Sequence, residues 1–293
     1  MNDKLTTISN RLSDAGLLTL AHLLERRHVQ LDRSLLTALV ERWRPETHTF
    51  HFPCGEMTLT LQDVAYLLGL PIAGQAVGPR VVPQTWKDDL EGRFFQVQRM
   101  DGLDEVNPHP QRAYGPARSW FLQFQVRNVM YPCHKYLTLC TLLILMDFFF
   151  HVQSTYLAPD ADDYSVDRSL EVYLLWLFGN TMFNNTHGAS VDKVLGVYAQ
   201  EIADAAPGEV PQYSWGSAVL VATYRGLCDA CQKTDEGAVL TGCPLLLQLW
   251  SYERIAIGRP IVDQSPYGAD MYGDVLAEGP TMGSLWATRE VHI

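Results

Sequence analysis

The sequence predicts a mainly α-helical protein: a single compact multi-helix domain over residues 1–293, with one small β-hairpin near residues 49–60. Three observations predict it. Apolar residues recur at helical spacing along most of the chain, strict apolar/polar alternation is confined to the stretch 49–60, and no segment repeats at a fixed period as a solenoid would require. A composition of 47% hydrophobic and 19% charged residues is that of an ordinary soluble globular chain with enough apolar surface for a sizeable core.

From Leu12 to Arg27, Leu17, Leu18, Leu20, Ala21, Leu23 and Leu24 fall at helical spacing, and Glu25, Arg26 and Arg27 close the element. Asp32 can cap the next helix, whose stripe Leu35, Leu36, Leu39, Val40 and Trp43 ends before Pro45. Phe50 and Phe52 then alternate with Thr49 and His51. After the turn Pro53-Cys54-Gly55-Glu56, Met57 and Leu59 alternate with Thr58 and Thr60, which makes a hairpin with one apolar face. Thr60 stands at an N-cap with Asp63 three residues on, a variant capping box, and Leu59 with Val64 forms a hydrophobic staple. The helix therefore starts at Leu61, buries Leu61, Val64, Ala65 and Leu68, and stops at Gly69-Leu70-Pro71.

The run PIAGQAVGPRVVPQ reads as a connecting loop, and helical character resumes from Trp86 to Gln98. The polar, proline-rich MDGLDEVNPHPQRAYGP is either a surface loop or a place where something binds. Pro116 can start a helix bearing Trp120, Phe121 and Phe124. Cys133 to Phe150 is the most apolar part of the chain and is expected to be the central helix. Asp147 interrupts its apolar run, which falls short of the roughly 20 residues of a membrane span. Past the acidic loop at Asp160 to Asp163, Leu170, Tyr173, Leu174, Leu177 and Phe178 form a stripe ended by Gly179. A turn at Asn184 to Gly188 precedes helices from about Val191 to Ala205, Gly216 to Lys233 and Pro244 to Ile255. The Gly- and Pro-rich tail, residues 258–293, is expected to be irregular and packed on the surface.

The stretch WRPETHTFHFPCGEMTLTLQDVAYLLGLPI resembles the signature of the plant mobile domain family, meristem-maintenance-like proteins related to genes carried by plant transposons and sometimes labelled aminotransferase-like. The resemblance extends more weakly through SWFLQF, PQYSWGSAVLVATYRGLC and GCPLLLQLWSYERIAIGRP. It implies a nuclear protein acting in transposon silencing, gene expression and meristem maintenance, partnered by a PPP-class serine/threonine phosphatase or another family member. The aminotransferase label would require a Schiff-base lysine beside a phosphate cup on an α/β sheet. None of Lys4, Lys87, Lys135, Lys193 and Lys233 follows a strand-like run beside a Gly-rich turn, so no cofactor is expected.

A net charge of −11 without any basic run argues against a surface that wraps nucleic acid, so the rival reading of a transposon-derived nucleic-acid-binding domain is the weaker one. The six cysteines, behind a start without a signal peptide, read as reduced thiols of the nucleus or cytosol. Cys228 and Cys231 form a CxxC that, with Cys243, invites a zinc site, but no second pair of ligands follows at suitable spacing and half-buried thiols are expected instead. Glu46 and His48 could form an acid/base pair; with His51 they read rather as a polar seam along the hairpin. Trp250, Arg254 and Arg259 make an aromatic and arginine-rich segment of the kind favoured at protein interfaces, against the alternative of a core indole and internally paired arginines. No P-loop, HExxH or GxSxG motif is present. A non-enzymatic interaction module is the reading that remains.

Overall fold

The structure, a computed structural model, describes residues 2–25, 31–99, 115–116, 162–185, 190–233, 240–255, 259, 281 and 283. It is mainly helical with one small sheet, as the periodicity predicts. The expected helix bearing Trp120, the expected central helix from Cys133 to Phe150 and nearly all of the tail lie outside the described residues.

The chain divides into two compact units, each assembled from separate segments. The first comprises Met1–Ala15, Pro79–Asn180 and His187–Pro211; the second comprises Gly16–Gly78, Thr181–Thr186 and Gln212–Ile293.

In the first unit lie α1 (Asn2–Asp14), α5 (Trp86–Arg99), α6 (Asp163–Leu177) and α7 (Lys193–Ala203). The side chain of Asp162 caps α6 by accepting from the Ser165 amide at 2.9 Å. From Arg168 to Leu177 every side chain of α6 is buried, so this is an interior helix rather than one with a single apolar stripe. Nor does Gly179 end it. The chain continues through a wider π turn, Phe178–Met182, in which Gly179 lies so close to Val191 that a Cβ there would meet Val191 Cγ2 at 2.3 Å.

The second unit holds α2 (Leu18–Glu25), α3 (Arg33–Arg42), strands β1 (Trp43–Arg44), β2 (Thr49–Phe52) and β3 (Gly55–Met57), then α4 (Leu61–Leu68), α8 (Trp215–Cys231) and α9 (Pro244–Arg254). The single helix expected from Leu12 to Arg27 is broken. Gly16 takes φ +68 and turns the chain between α1 and α2, at a point where a Cβ would run into Pro71. Asp32 caps α3 as expected, through Oδ1 to the Leu35 amide at 3.0 Å. Trp43, however, is not the last member of that helix's stripe. Arg44 precedes Pro45 and is pushed toward extended backbone, so Trp43 and Arg44 leave the helix and become a third strand.

The sheet is antiparallel in the order β1-β2-β3, with Trp43 opposite Phe50 and Phe50 opposite Met57. Trp43 and Phe50 are fully buried and meet edge to face at 4.8 Å. The capping box of α4 is complete in both directions, and Gly69 closes the helix at φ +67. The buried stripe is Val64, Leu67 and Leu68 together with Asp63, whereas Leu61, expected inside, is 38% exposed.

Candidate functional site

The outer face of the sheet carries the side chains that alternate away from Phe50. Thr49 donates to Glu56 Oε2 at 3.0 Å, and His51 Nε2 lies 3.5 Å from both Glu56 Oε1 and Thr47 Oγ1. These groups are in contact with water, so each contact stabilises little and the seam remains open.

His48 behaves differently. It closes the loop between the paired residues Arg44 and Thr49 and, among the described residues, is the only non-glycine with positive φ, at 54°. Its carbonyl accepts from Thr58 Oγ1 at 2.7 Å, and its ring stacks on Tyr224 of α8 at 5.8 Å and 7°. Tyr224 in turn donates to the Leu59 carbonyl at 2.6 Å. The two imidazoles thus have separate partners, His51 with Glu56 and His48 with Tyr224, while Glu46 is exposed on the same loop. No hydrogen bond between Glu46 and His48 forms among the described residues, so the acid/base pair that the sequence allows is not assembled.

Beside this ring cluster the buried Trp43 indole N–H donates to Cys228 Sγ at 3.3 Å, and Cys231 Sγ–H donates to the Cys228 carbonyl at 3.3 Å. Both thiols are half-buried. Burial pushes the Cys231 thiol up, and the neighbouring Cys228 adds to the rise. Cys243 lies at the start of α9, fully buried, with its thiol pushed up to about 12 by burial. Among the described residues no three His, Cys, Asp or Glu side chains are grouped so as to hold a metal ion.

On α9, Trp250 is 1% exposed and packs against Phe50 at 5.0 Å, so its ring belongs to the core of this unit. Its indole N–H has no hydrogen-bond partner among the described residues. Gln248, also buried, accepts from the Asp32 amide at 2.7 Å and fastens the start of α3 to α9. Arg254 ends α9 and donates to Asp63 Oδ1 at 2.6 Å, while the Asp63 Oδ2 atom accepts from the Thr60 amide and hydroxyl at 2.9 and 2.8 Å. The Asp63 side chain is 7% exposed and that of Arg254 55%, so the pair joins a buried cap to a surface guanidinium. Arg259, exposed, donates to the carbonyls of Ile255 and Glu253 and so satisfies the end of the same helix. Of the three residues singled out on this segment, the two arginines face solvent and the tryptophan does not.

The first unit contains a charged cluster that the sequence reading missed. Arg168 and Glu171 are buried within α6 and paired to each other; Arg168 also pairs with Asp204, and Arg93 of α5 reaches Glu171 at 2.8 Å. Arg11 of α1 holds Asp167 at 2.6 Å and donates to the Ala203 carbonyl. Each arginine thus meets at least one carboxylate, which is the condition under which buried charge is tolerable. A signal was present: Arg168 and Glu171 stand three apart, in helical register, immediately before the apolar run from Val172 to Phe178. The network ties α1, α5 and α6 to one another and to the end of α7.

Fold and polar contacts together define a mainly helical module with a small β clip in its second unit, in which the described ionisable groups chiefly hold helices and strands in place. The chain belongs to the plant mobile domain family, whose model matches residues 19–291. Among the Arabidopsis thaliana proteins similar to it are the following three. "Serine/threonine-protein phosphatase 7 long form homolog" is 34% identical over 79% of this chain and 14% of its own length. "Protein MAIN-LIKE 1" is 34% identical over 79% of this chain and 38% of its own, and "Protein MAINTENANCE OF MERISTEMS" 29% identical over 79% and 39%. The chain therefore spans well under half the length of each. No solved structure matches it. The family and the MAIN-LIKE relatives do not point to a catalytic activity.

Proposed function

We propose that this chain is a non-enzymatic nuclear protein-interaction module that acts in transposon silencing, gene expression and meristem maintenance in complex with a PPP-class serine/threonine phosphatase. The observation that carries the reading is modular: one region of about the same extent recurs as 14% of a protein named a phosphatase homolog and as 38% and 39% of proteins named for meristem maintenance. A segment shared by proteins of such different names suits a docking or targeting role more than a chemical one. The net charge of −11 favours a protein partner over a phosphate backbone. No helix among the described residues is long and apolar enough to cross a membrane.

Arg254 and Arg259 are the exposed residues with which the module meets its partner, because arginine at the rim of a packed aromatic core is the composition of a binding hot spot. The test is affinity purification of the tagged chain from plant nuclei with identification by mass spectrometry. A PPP-class catalytic subunit should be enriched, and Arg254→Glu combined with Arg259→Glu should deplete it several-fold. Recovery as a partnerless monomer, or exclusion of a fluorescent fusion from the nucleus, would overturn the reading.

A further inference from the structure

The Cys228/Cys231 pair on α8 has no part in the partner contact proposed above, and the geometry around it supports a separate role. We propose that Cys228 and Cys231 form a redox modification site that hydroperoxides oxidise to a disulfide within the last turn of α8. The two residues are three apart in a helix that ends at Cys231, so helical rise and radius place their Cα atoms about 5 Å apart, inside the usual range of roughly 4.4–6.8 Å for a disulfide. The Cys231 sulfur already leans back to the Cys228 carbonyl at 3.3 Å. Cβ atoms three apart on a helix lie about 5–6 Å from each other, wider than the roughly 3.5–4.5 Å of a disulfide, so closure must tighten the terminal turn, and it can do so there without breaking a helix interior.

The two sulfurs are not equivalent. Cys228 Sγ accepts the indole N–H of the fully buried Trp43, which fixes that sulfur against β1, whereas the Cys231 sulfur is held by a backbone carbonyl. Cys231, which burial keeps protonated, supplies the second thiol. Cys228 as thiolate attacks one oxygen of hydrogen peroxide; the O–O bond breaks, leaving a sulfenic acid and a hydroxide that leaves as water. The Cys231 sulfur then attacks Cys228, the S–S bond forms, and the S–O bond breaks. The departing hydroxyl takes the Cys231 proton as a second water, so two thiols lose two electrons and the peroxide gains them. A thiol reductant reverses the change, as suits a switch in a reducing compartment.

Disulfide closure draws the Cys228 sulfur toward Cys231 and removes its best acceptor orientation, so the Trp43 indole N–H loses the hydrogen bond it makes to that sulfur. Trp43 touches Phe50, Tyr224 and His48, and oxidation therefore loosens β1 and the exposed ring of His48 against α8.

The full chain is treated with hydrogen peroxide, its remaining thiols are alkylated without reduction, and peptides are read by mass spectrometry, with backbone hydrogen exchange measured in parallel. The expected result is paired loss of the Cys228 and Cys231 thiols in one cross-linked peptide, reversed by dithiothreitol, with several-fold faster exchange across residues 43–52. In Cys231→Ser, oxidation should stop at a Cys228 sulfenic acid trapped by dimedone; in Cys228→Ser, Cys231 should stay a thiol. Oxidation of exposed Cys54 with both α8 thiols intact, disulfides formed only between chains, or a Cys231 sulfenic acid in Cys228→Ser would overturn the proposal.

Discussion

Asp63 gives the sharpest test of how the second unit is held together, because one buried carboxylate serves two elements. Its Oδ2 atom completes the capping box of α4 and its Oδ1 atom takes the guanidinium at the end of α9. Asp63→Ala removes the reciprocal half of the cap, worth about 1 kcal/mol, and the ion pair, worth up to ~1 kcal/mol because Arg254 is half-exposed. The total is about 2 kcal/mol. Arg254→Ala loses only the second part: the carboxylate left behind still accepts two hydrogen bonds from Thr60 and sits at the positive end of α4, so the cost is about 1 kcal/mol or less. In the double variant the arginine substitution should cost nothing further, giving a coupling energy of up to ~1 kcal/mol. Urea unfolding of the four proteins, followed by far-ultraviolet circular dichroism, measures all three numbers. If Arg254→Ala proves costlier than Asp63→Ala, or if the two changes are additive, the α4–α9 latch does not exist as described.

Four further outcomes follow from the buried charges and the buried Cys243 thiol. Glu171→Ala leaves Arg168 buried with one partner fewer and takes the partner from Arg93, and should destabilise by about 3–5 kcal/mol; a loss under ~1 kcal/mol on chemical denaturation would contradict the network. Asp167 is raised from its ordinary value of 3.8, chiefly by desolvation, against the opposing pull of Arg11. Its folded state therefore binds the proton more tightly than the unfolded chain: the stability this contributes is complete below 3.8 and is lost as pH rises through the higher folded value. Asp167→Asn should abolish that part of the decline, and identical stability–pH curves from pH 3 upward would refute the assignment. Cys243, pushed from 9.0 to about 12 by burial, should resist iodoacetamide at pH 8 in the folded protein while Cys54 on the exposed turn reacts. Folding should also lose stability between pH 9 and 12 as the unfolded thiol ionises first, a loss that Cys243→Ala should remove.

The parts that could be read from sequence are those set by neighbours in the chain. Thr60, Asp63 and Gly69 specify the start and end of α4 through contacts no more than four residues apart, and Asp32 likewise fixes the start of α3. The hairpin strands follow from the alternation around Phe50. Misreadings occurred where two local signals competed. Trp43 fits the helical stripe of α3, yet Pro45 pulls its backbone into a strand; Gly179 looks like a stop, yet the π turn carries the chain through it. Leu61 satisfies the helical period of α4 but faces outward, because at the first turn the cap rather than the core fixes the chain.

What the sequence determined on its own is therefore the family signature, the helical class and the caps and turns, all interactions of short range along the chain. The tertiary structure alone decided which charged and aromatic groups meet: Arg254 with Asp63 across 191 residues, Arg11 with Asp167 across 156, His48 with Tyr224, and the Trp43 indole on Cys228. The physical reason is that a side chain's residue type states what it can bond, while its partner and its burial depend on how separate helices pack. Burial in turn decides whether a pair of opposite charges is a weak surface contact or a fixed part of the core.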